Sequence, residues 1–284
     1  MREIELYINN LESEGKTKTT INNTKNFIQE FIEILKLNSN NINQLKLVDI
    51  DTYLYELTKK GNSDNTRKTK VAYVRGFVKY LYHREILAKN ITEDVKVSAT
   101  DSDISHIEIK DIKKIIERAK YQLERGKDLD SYPIFITLFT TGMRIDCELL
   151  ELKIDDIQDD GIFISSGKGK KSRFVPTPSS TIELLRNYYQ ENDGRYVFVT
   201  KNGERRQASD VRRRLKRYAE HFGIRGDISP HKIRHSYAVN LLEQDVPMDV
   251  ISKALGHSNV AITSKVYAKT SNQRLVDAMK GVQF

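Results

Sequence analysis

Apolar residues recur every three to four positions through the first ninety residues, the spacing of amphipathic helices. They fall at Ile4, Tyr7, Ile8 and Leu11, then at Ile21, Ile28, Phe31, Ile32 and Leu35, and again at Ile50, Tyr53, Leu54 and Leu57. A fourth segment, 65–86, sets Val71, Val74, Val78 and Leu81 on one stripe. Lys68, Arg75 and Lys79 fall on another face, because offsets of 7 and 11 residues return to the same side of a helix. That face suits a phosphate backbone or plain solvent equally well.

From Val95 to Ser105 the period is lost and the residues become small and polar, the pattern of a linker. Helical pattern resumes over 108–123 and 132–152. Alternation then predicts a β-hairpin, Gly161–Ser165 against Arg173–Pro176, around a Gly/Lys turn. Further helices are expected near 180–192, 207–222, 230–244, 247–255 and 270–281, with a short strand at Tyr196–Thr200. No repeats or low-complexity tracts interrupt the order.

Composition narrows the class. With 38% hydrophobic and 30% charged residues the chain reads as an ordinary soluble protein. No apolar run approaches the roughly 18 residues of a membrane span, and the N-terminus lacks the apolar stretch of a secretory signal. The single cysteine, Cys147, excludes an internal disulfide framework, so a reducing cytoplasm is the expected compartment. A net charge of +8 favours a polyanionic partner, and both halves of the chain are mildly basic.

The sharpest local signal is Ser229-Pro230-His231-Lys232-Ile233-Arg234-His235. Serine caps helices and proline suits their first position, so His231 and Arg234 fall in a first turn, on one face. The free NH groups and the positive helix end there favour a phosphate. Gly167-Lys168-Gly169-Lys170-Lys171-Ser172-Arg173 would carry lysines outward on a turn, toward a DNA groove or into solvent. The turn lacks Walker A spacing, so ATP chemistry has no support. Arg144 enters an apolar stretch and needs an anionic partner, either a phosphate or a salt bridge to Glu148 or Glu151. Leu255-Gly256-His257 has the form of a glycine-capped helix end. Nothing intrinsic distinguishes Tyr267 among fourteen tyrosines; a packing role and a chemical one both fit. Taken in order, Arg144, Lys168, His231, Arg234, His257 and Tyr267 supply two guanidinia, an ammonium, two imidazoles and a phenol. That set suits metal-free attack on a phosphodiester.

Thr141-Gly142-Met143-Arg144, the Gly-Lys turn at 167–171, the 229–235 segment and Leu255-Gly256-His257-Ser258, followed by a late tyrosine, resemble the tyrosine recombinase or phage integrase family, most closely its Xer-type members. The resemblance implies a mainly α protein: a helical, SAM-like core-binding clamp domain over 1–95, a linker over 96–105, and an α-rich catalytic domain with a small antiparallel sheet and a C-terminal helix over 106–284. It implies Arg144 and Arg234 as transition-state clamps, Lys168 as general acid, His231 as general acid/base, His257 as a second phosphate-site histidine and Tyr267 as nucleophile. Two positions depart from the family pattern. Cys147 stands where an acidic residue is usual, with Glu148 next, and His257 is ten residues from Tyr267 where nine is common.

The implied reaction is two transesterifications through a 3′-phosphotyrosyl link, with no metal, ATP or other cofactor. The implied partner is double-stranded DNA bearing a specific recombination site, bound by a homotetramer on two duplexes, with no membrane. Xer-type resolution of chromosome or plasmid dimers is the expected role, in chromosome partition and cell division, since no arm-binding domain precedes the clamp. A virus or mobile-element integrase, a type IB topoisomerase-like enzyme and a non-catalytic DNA-binding protein are the alternatives. DNA contacts are expected from Lys68, Arg75, Lys79, Lys170, Lys171, Arg205, Arg206, Arg213 and Arg217, the last four on a strongly basic stretch at 203–217. Leu275, Val276 and Met279 form a short apolar stripe, expected to dock on a neighbouring protomer.

Overall fold

A computed structural model describes residues 1–97, 107–165, 172–190, 195–224, 226 and 228–256. The expectations for the Gly-Lys turn, for His257 and Tyr267, and for the helix at 270–281 lie outside the described residues, as does most of the linker. The chain divides into two compact units, Met1–Asp103 and Ile104–Phe284.

Among its described residues the first unit contains the helices α1 (Arg2–Ser13), α2 (Lys18–Leu35), α3 (Leu47–Lys59) and α4 (Asp64–His83), with a 3-10 turn at Ile42–Gln44. Thr17 and Ser63 cap α2 and α4, each side-chain oxygen accepting an NH from three residues on. The apolar stripes turn inward and bury Ile28, Phe31, Tyr53, Phe77 and Leu81 completely. Phe31 and Tyr53 meet edge to face at 5.0 Å. Of the expected basic face on α4, Lys68 and Lys79 are exposed, but Arg75 is not free. Its guanidinium turns back to donate to the carbonyl of Val95. A carbonyl beyond the last helix needs a donor, and Arg75 supplies it. The stripe is therefore corrected from three cations to two.

The second unit contains α5 (Ile109–Glu124), α6 (Ser131–Thr141), strands β1 (Gly161–Ile164) and β2 (Arg173–Pro176), α7 (Ser179–Gln190), α8 (Ala208–His221), α9 (Pro230–Glu243) and α10 (Met248–Leu255). α6 is apolar on nearly every side because α5, α7, α8 and α9 all pack against it. The strands pair antiparallel, with Ile162 opposite Val175. Their inner residues Ile162, Ile164 and Val175 are buried, while Phe163 and Phe174 face outward.

Two expectations are corrected. The helix predicted over 132–152 stops at Thr141, because Gly142 adopts a left-handed conformation (φ +59°) and closes the helix. A Cβ there would run into the ring of Tyr237 on α9, so glycine is required twice over, by backbone and by packing. The chain then makes short 3-10 turns at Leu149–Glu151 and Ile154–Asp156. The strand predicted at 196–200 is an isolated bridge, Val199 to Arg205, with Val197 NH bonded to the Leu152 carbonyl. Its apolar residues Val197 and Phe198 are buried as expected of a strand, but among the described residues no long neighbour lies alongside to make a ladder.

Candidate active site

The break in the helix after Thr141 creates the site. Once Gly142 reverses the backbone, Arg144 and Glu148 face each other across one irregular turn. Glu148 Oε2 accepts the backbone NH of Arg144 (2.7 Å), and Oε1 accepts its Nη1 (2.7 Å). Arg173, on β2, closes the other side: its Nη1 donates to Oε1 (2.6 Å) and its Nη2 to Oε2 (2.8 Å). Arg234, in the first turn of α9, lies 3.9 Å from the same carboxylate. One buried carboxylate therefore faces three guanidinia, a local excess of positive charge.

Glu148 is the carboxylate that gathers these arginines, one position after the place where the family pattern leads one to look. Burial alone would push its carboxyl upward, but the Arg173 and Arg144 hydrogen bonds and charges outweigh that and hold it below the ordinary glutamate value. Both its oxygens are saturated with donors, so it orients arginines and is unsuited to accept a further proton.

The C-terminal end of α10 completes the arrangement. Its last carbonyls each take one guanidinium: Ala254 from Arg173 Nε (3.0 Å), Leu255 from Arg234 Nη2 (2.5 Å) and Gly256 from Arg144 Nη2 (3.1 Å). Orphan carbonyls and the negative end of a helix favour cations there. Arg234 also donates to the Gly142 carbonyl (2.6 Å), which ties α9 to the end of α6. Arg144 has the most exposed side chain of the three, at 19% against 10% for Arg173 and 6% for Arg234. It is the one best placed to exchange a carbonyl for an incoming phosphate oxygen.

Ser229 caps α9 as its sequence requires, with Pro230 next, and this sets His231 at the surface beside the arginines. Desolvation, then the charges of Arg234 and Arg212, hold its pKa below the usual imidazole value; Asp146 opposes and Arg144 adds to the lowering. The shift favours the neutral imidazole, the form that can take a proton. Arg212 pairs with Asp146 at 2.9 Å, and Arg205 donates to the Asp146 carbonyl and pairs with Glu151, so both basic residues border this face.

The sequence-predicted residues Arg144, His231 and Arg234 are brought together. Arg173 was missed: an arginine on a four-residue strand carries no local signal that it points at a carboxylate 25 residues earlier. Arg206, expected at DNA, is instead buried, paired with Asp130 and Asp210. Its charge is already neutralised inside the unit, and it is withdrawn from the DNA-contacting set. Arg213 and Arg217 have exposed side chains.

A cavity of about 720 Å³ lies elsewhere, lined by Asp128, Asp130, Tyr188, Arg206, Arg214 and Tyr218. It sits beyond the start of α6, while Arg144 follows its end; eleven helical residues, about 16 Å, separate them. Its aspartates Asp128 and Asp130 are paired with Arg206, Arg214 and Arg217, and it has no part in the arginine cluster around Glu148. Among the described residues no group of three or more histidine, cysteine, aspartate or glutamate side chains is placed to hold a metal ion. Nor is any helix among them long and apolar enough to cross a membrane.

Comparison with known proteins matches residues 104–274 to the phage integrase family and residues 4–85 to the phage integrase N-terminal SAM-like domain. The chain belongs to the phage integrase family. It is a tyrosine recombinase, of the class that cleaves and rejoins DNA in site-specific recombination. It is 28% identical to tyrosine recombinase XerA of Pyrococcus furiosus, over 98% of this chain and 92% of that protein. It is 27% identical to tyrosine recombinase XerC of Alcanivorax borkumensis, over 84% of this chain and 79% of that protein. The fold resembles the lambda integrase (75–356) dimer bound to a COC′ core site, with TM-score 0.78, 16% identity and 93% and 94% of the two chains covered. It also resembles the XerH recombinase bound to palindromic difH substrate, with TM-score 0.74, 21% identity and 93% and 80% covered.

Proposed function

We propose that this recombinase cuts one DNA strand by attack of the Tyr267 phenol on the scissile phosphorus, forming a 3′-phosphotyrosyl ester and releasing a 5′-hydroxyl. The observation that carries this reading is the set of three guanidinia around the carboxylate of Glu148, beside His231. Excess cations held rigidly in a partly buried place stabilise the extra negative charge of a phosphorane. Arg144 and Arg234 clamp the non-bridging oxygens, and His231 accepts the phenolic proton. Lys168 delivers a proton to the departing 5′ oxygen, and His257 supports the phosphate. A 5′-hydroxyl from a partner strand then attacks the tyrosyl ester and restores the phosphodiester. One ester replaces another at each step, so the exchange needs no external energy source.

The role proposed is Xer-type: resolution of chromosome or plasmid dimers at a specific site, in the cytoplasm, by a homotetramer on two duplexes. The support is the kind of relative that matches nearly end to end, Xer recombinases covered to 92% of their length. The unit boundaries proposed are a clamp domain over 1–95 and a catalytic domain from 106 onward, with Lys68, Lys79, Lys170, Lys171, Arg205, Arg213 and Arg217 at DNA. Tyr267→Phe tests the chemistry. On a nicked suicide duplex the variant should form no covalent adduct while retaining wild-type DNA affinity. Persistent adduct would move the nucleophile to another tyrosine; Tyr237 is a poor one, since burial raises its pKa and its ring packs on Gly142.

A further inference from the structure

Arg173 stands outside the motifs that carry the family resemblance, yet its whole guanidinium is committed to the site. Its Nη1 and Nη2 grip both oxygens of the Glu148 carboxylate, and its Nε reaches the Ala254 carbonyl at the end of α10. We propose that Arg173 is a positioning residue for strand transfer: it locks Glu148 to the end of α10, and so aims Arg144 at the phosphate and sets where the chain leaves Gly256. The inference rests on the site reading above.

The geometry separates its role from that of the clamps. Arg173 differs from Arg144 and Arg234 in gripping both carboxylate oxygens of Glu148 with its guanidinium while its Nε holds the end of α10, so it acts on a phosphate through the groups it holds. Without it, Glu148 would keep only its two bonds with Arg144 at hydrogen-bond distance and would be free to turn. With Arg234 3.9 Å away, the released carboxylate would draw a clamp arginine inward, off the phosphate. Fork geometry is what the place demands, and lysine offers a single point charge with no fork.

A second observation agrees. Gly256 has φ +64°, and a Cβ there would lie 2.7 Å from Arg173 Nη1. The end of α10 thus approaches Arg173 so closely that a Cβ there would push the guanidinium aside, and the backbone conformation favours glycine as well. The residue that follows is His257, so the meeting of Arg173 with α10 is the last described anchor before the segment that carries the nucleophile.

The test uses the full chain and a nicked suicide duplex at saturating concentration. Arg173→Lys should bind DNA as tightly as wild type, while its single-turnover cleavage rate, normalised to the burst amplitude, falls about 100-fold, as for a displaced catalytic group. Gly256→Ala, which moves the end of α10 without removing a charge, should show the same split between binding and cleavage, and serves alone should the lysine variant not fold. Normal cleavage per active molecule in the folded variants would overturn the proposal and leave Arg173 as packing. Wild type and Tyr267→Phe run alongside. If wild type gives no Tyr267-linked adduct, the site reading itself fails and the inference with it, a result distinct from a normal rate in the Arg173 variant.

Discussion

The catalytic unit holds two clusters built from the same pair of side chains, arginine and carboxylate, and their proportions differ. Around Glu148, three guanidinia share one carboxylate. Beyond the other end of α6, Asp128, Asp130 and Asp210 face Arg206 and Arg214, with Arg213 and Arg217 at the edge. Tyr188 and Tyr218 add hydroxyl donors to Asp130 and Asp128. Neither Asp128 nor Asp210 is easily protonated: desolvation opposes the charge, but Ser131 and Arg214 in the one case, and Arg214 and Arg213 in the other, hold the pKa low. The second cluster sets three carboxylates against four arginines, each arginine paired with at least one of them, so it fastens the α5–α6 loop to α8 and has little left for a ligand. In the first, among the described residues, one carboxylate serves three arginines, and the excess charge suits the phosphate of the proposed reaction. An arginine-rich patch is a site when its carboxylates run short.

The sharpest way to break this comparison is Glu148→Ala. It leaves the guanidinia of Arg173 and Arg234 buried without a counter-charge, a loss of about 3–5 kcal/mol by analogy with broken buried ion pairs. A lowered urea midpoint, together with abolished cleavage by whatever remains folded, is the expected result. In the wild-type chain the same carboxylate has a folded pKa below 4.5, so its contribution is complete above that pH and disappears as pH falls through the folded value. Acid unfolding of the wild type should therefore include a component from this carboxylate that is missing in the variant. A variant as stable and active as wild type would show that Glu148 organises nothing.

Asp130→Ala should act on the other cluster and on stability alone. Arg206 and the Tyr188 hydroxyl lose their partner, a cost of about 1–3 kcal/mol, partly offset because Asp210 still holds Arg206. Cleavage per folded molecule should stay at the wild-type rate. A catalytic defect without a stability defect would mean that the second cluster takes part in the reaction after all.

The smallest effect is expected at the exposed edge. Replacing Arg213 and Arg217 with alanine removes cations whose side chains are 80% and 69% exposed. Folding should be unaffected, and the salt dependence of DNA binding should flatten by about 0.9 in log–log slope for each phosphate that is no longer neutralised. An unchanged slope would return this face of α8 to plain solvation.

Much of this was legible in the chain itself. The helices of the first unit, the hairpin, the capped start of α9 and the glycine end of α10 follow from local patterns, because periodicity and capping involve residues only a few positions apart. Those same rules located His231 and Arg234 on one helical turn, and the order of motifs selected Arg144. Local pattern misled where tertiary packing decided the backbone: the apolar run through Leu152 reads as helix, yet Gly142 is pressed against Tyr237 and ends it.

What the tertiary structure alone decided is which charges meet. Arg173 reaches Glu148 across 25 positions and Arg206 reaches Asp130 across 76, and in the sequence both are simply arginines in basic stretches. Periodicity assigns a residue to a face of its own element. Whether its charge is spent on a buried aspartate or left for a phosphate depends on what the fold brings within about 4 Å, where Coulomb attraction in a partly desolvated place is strong.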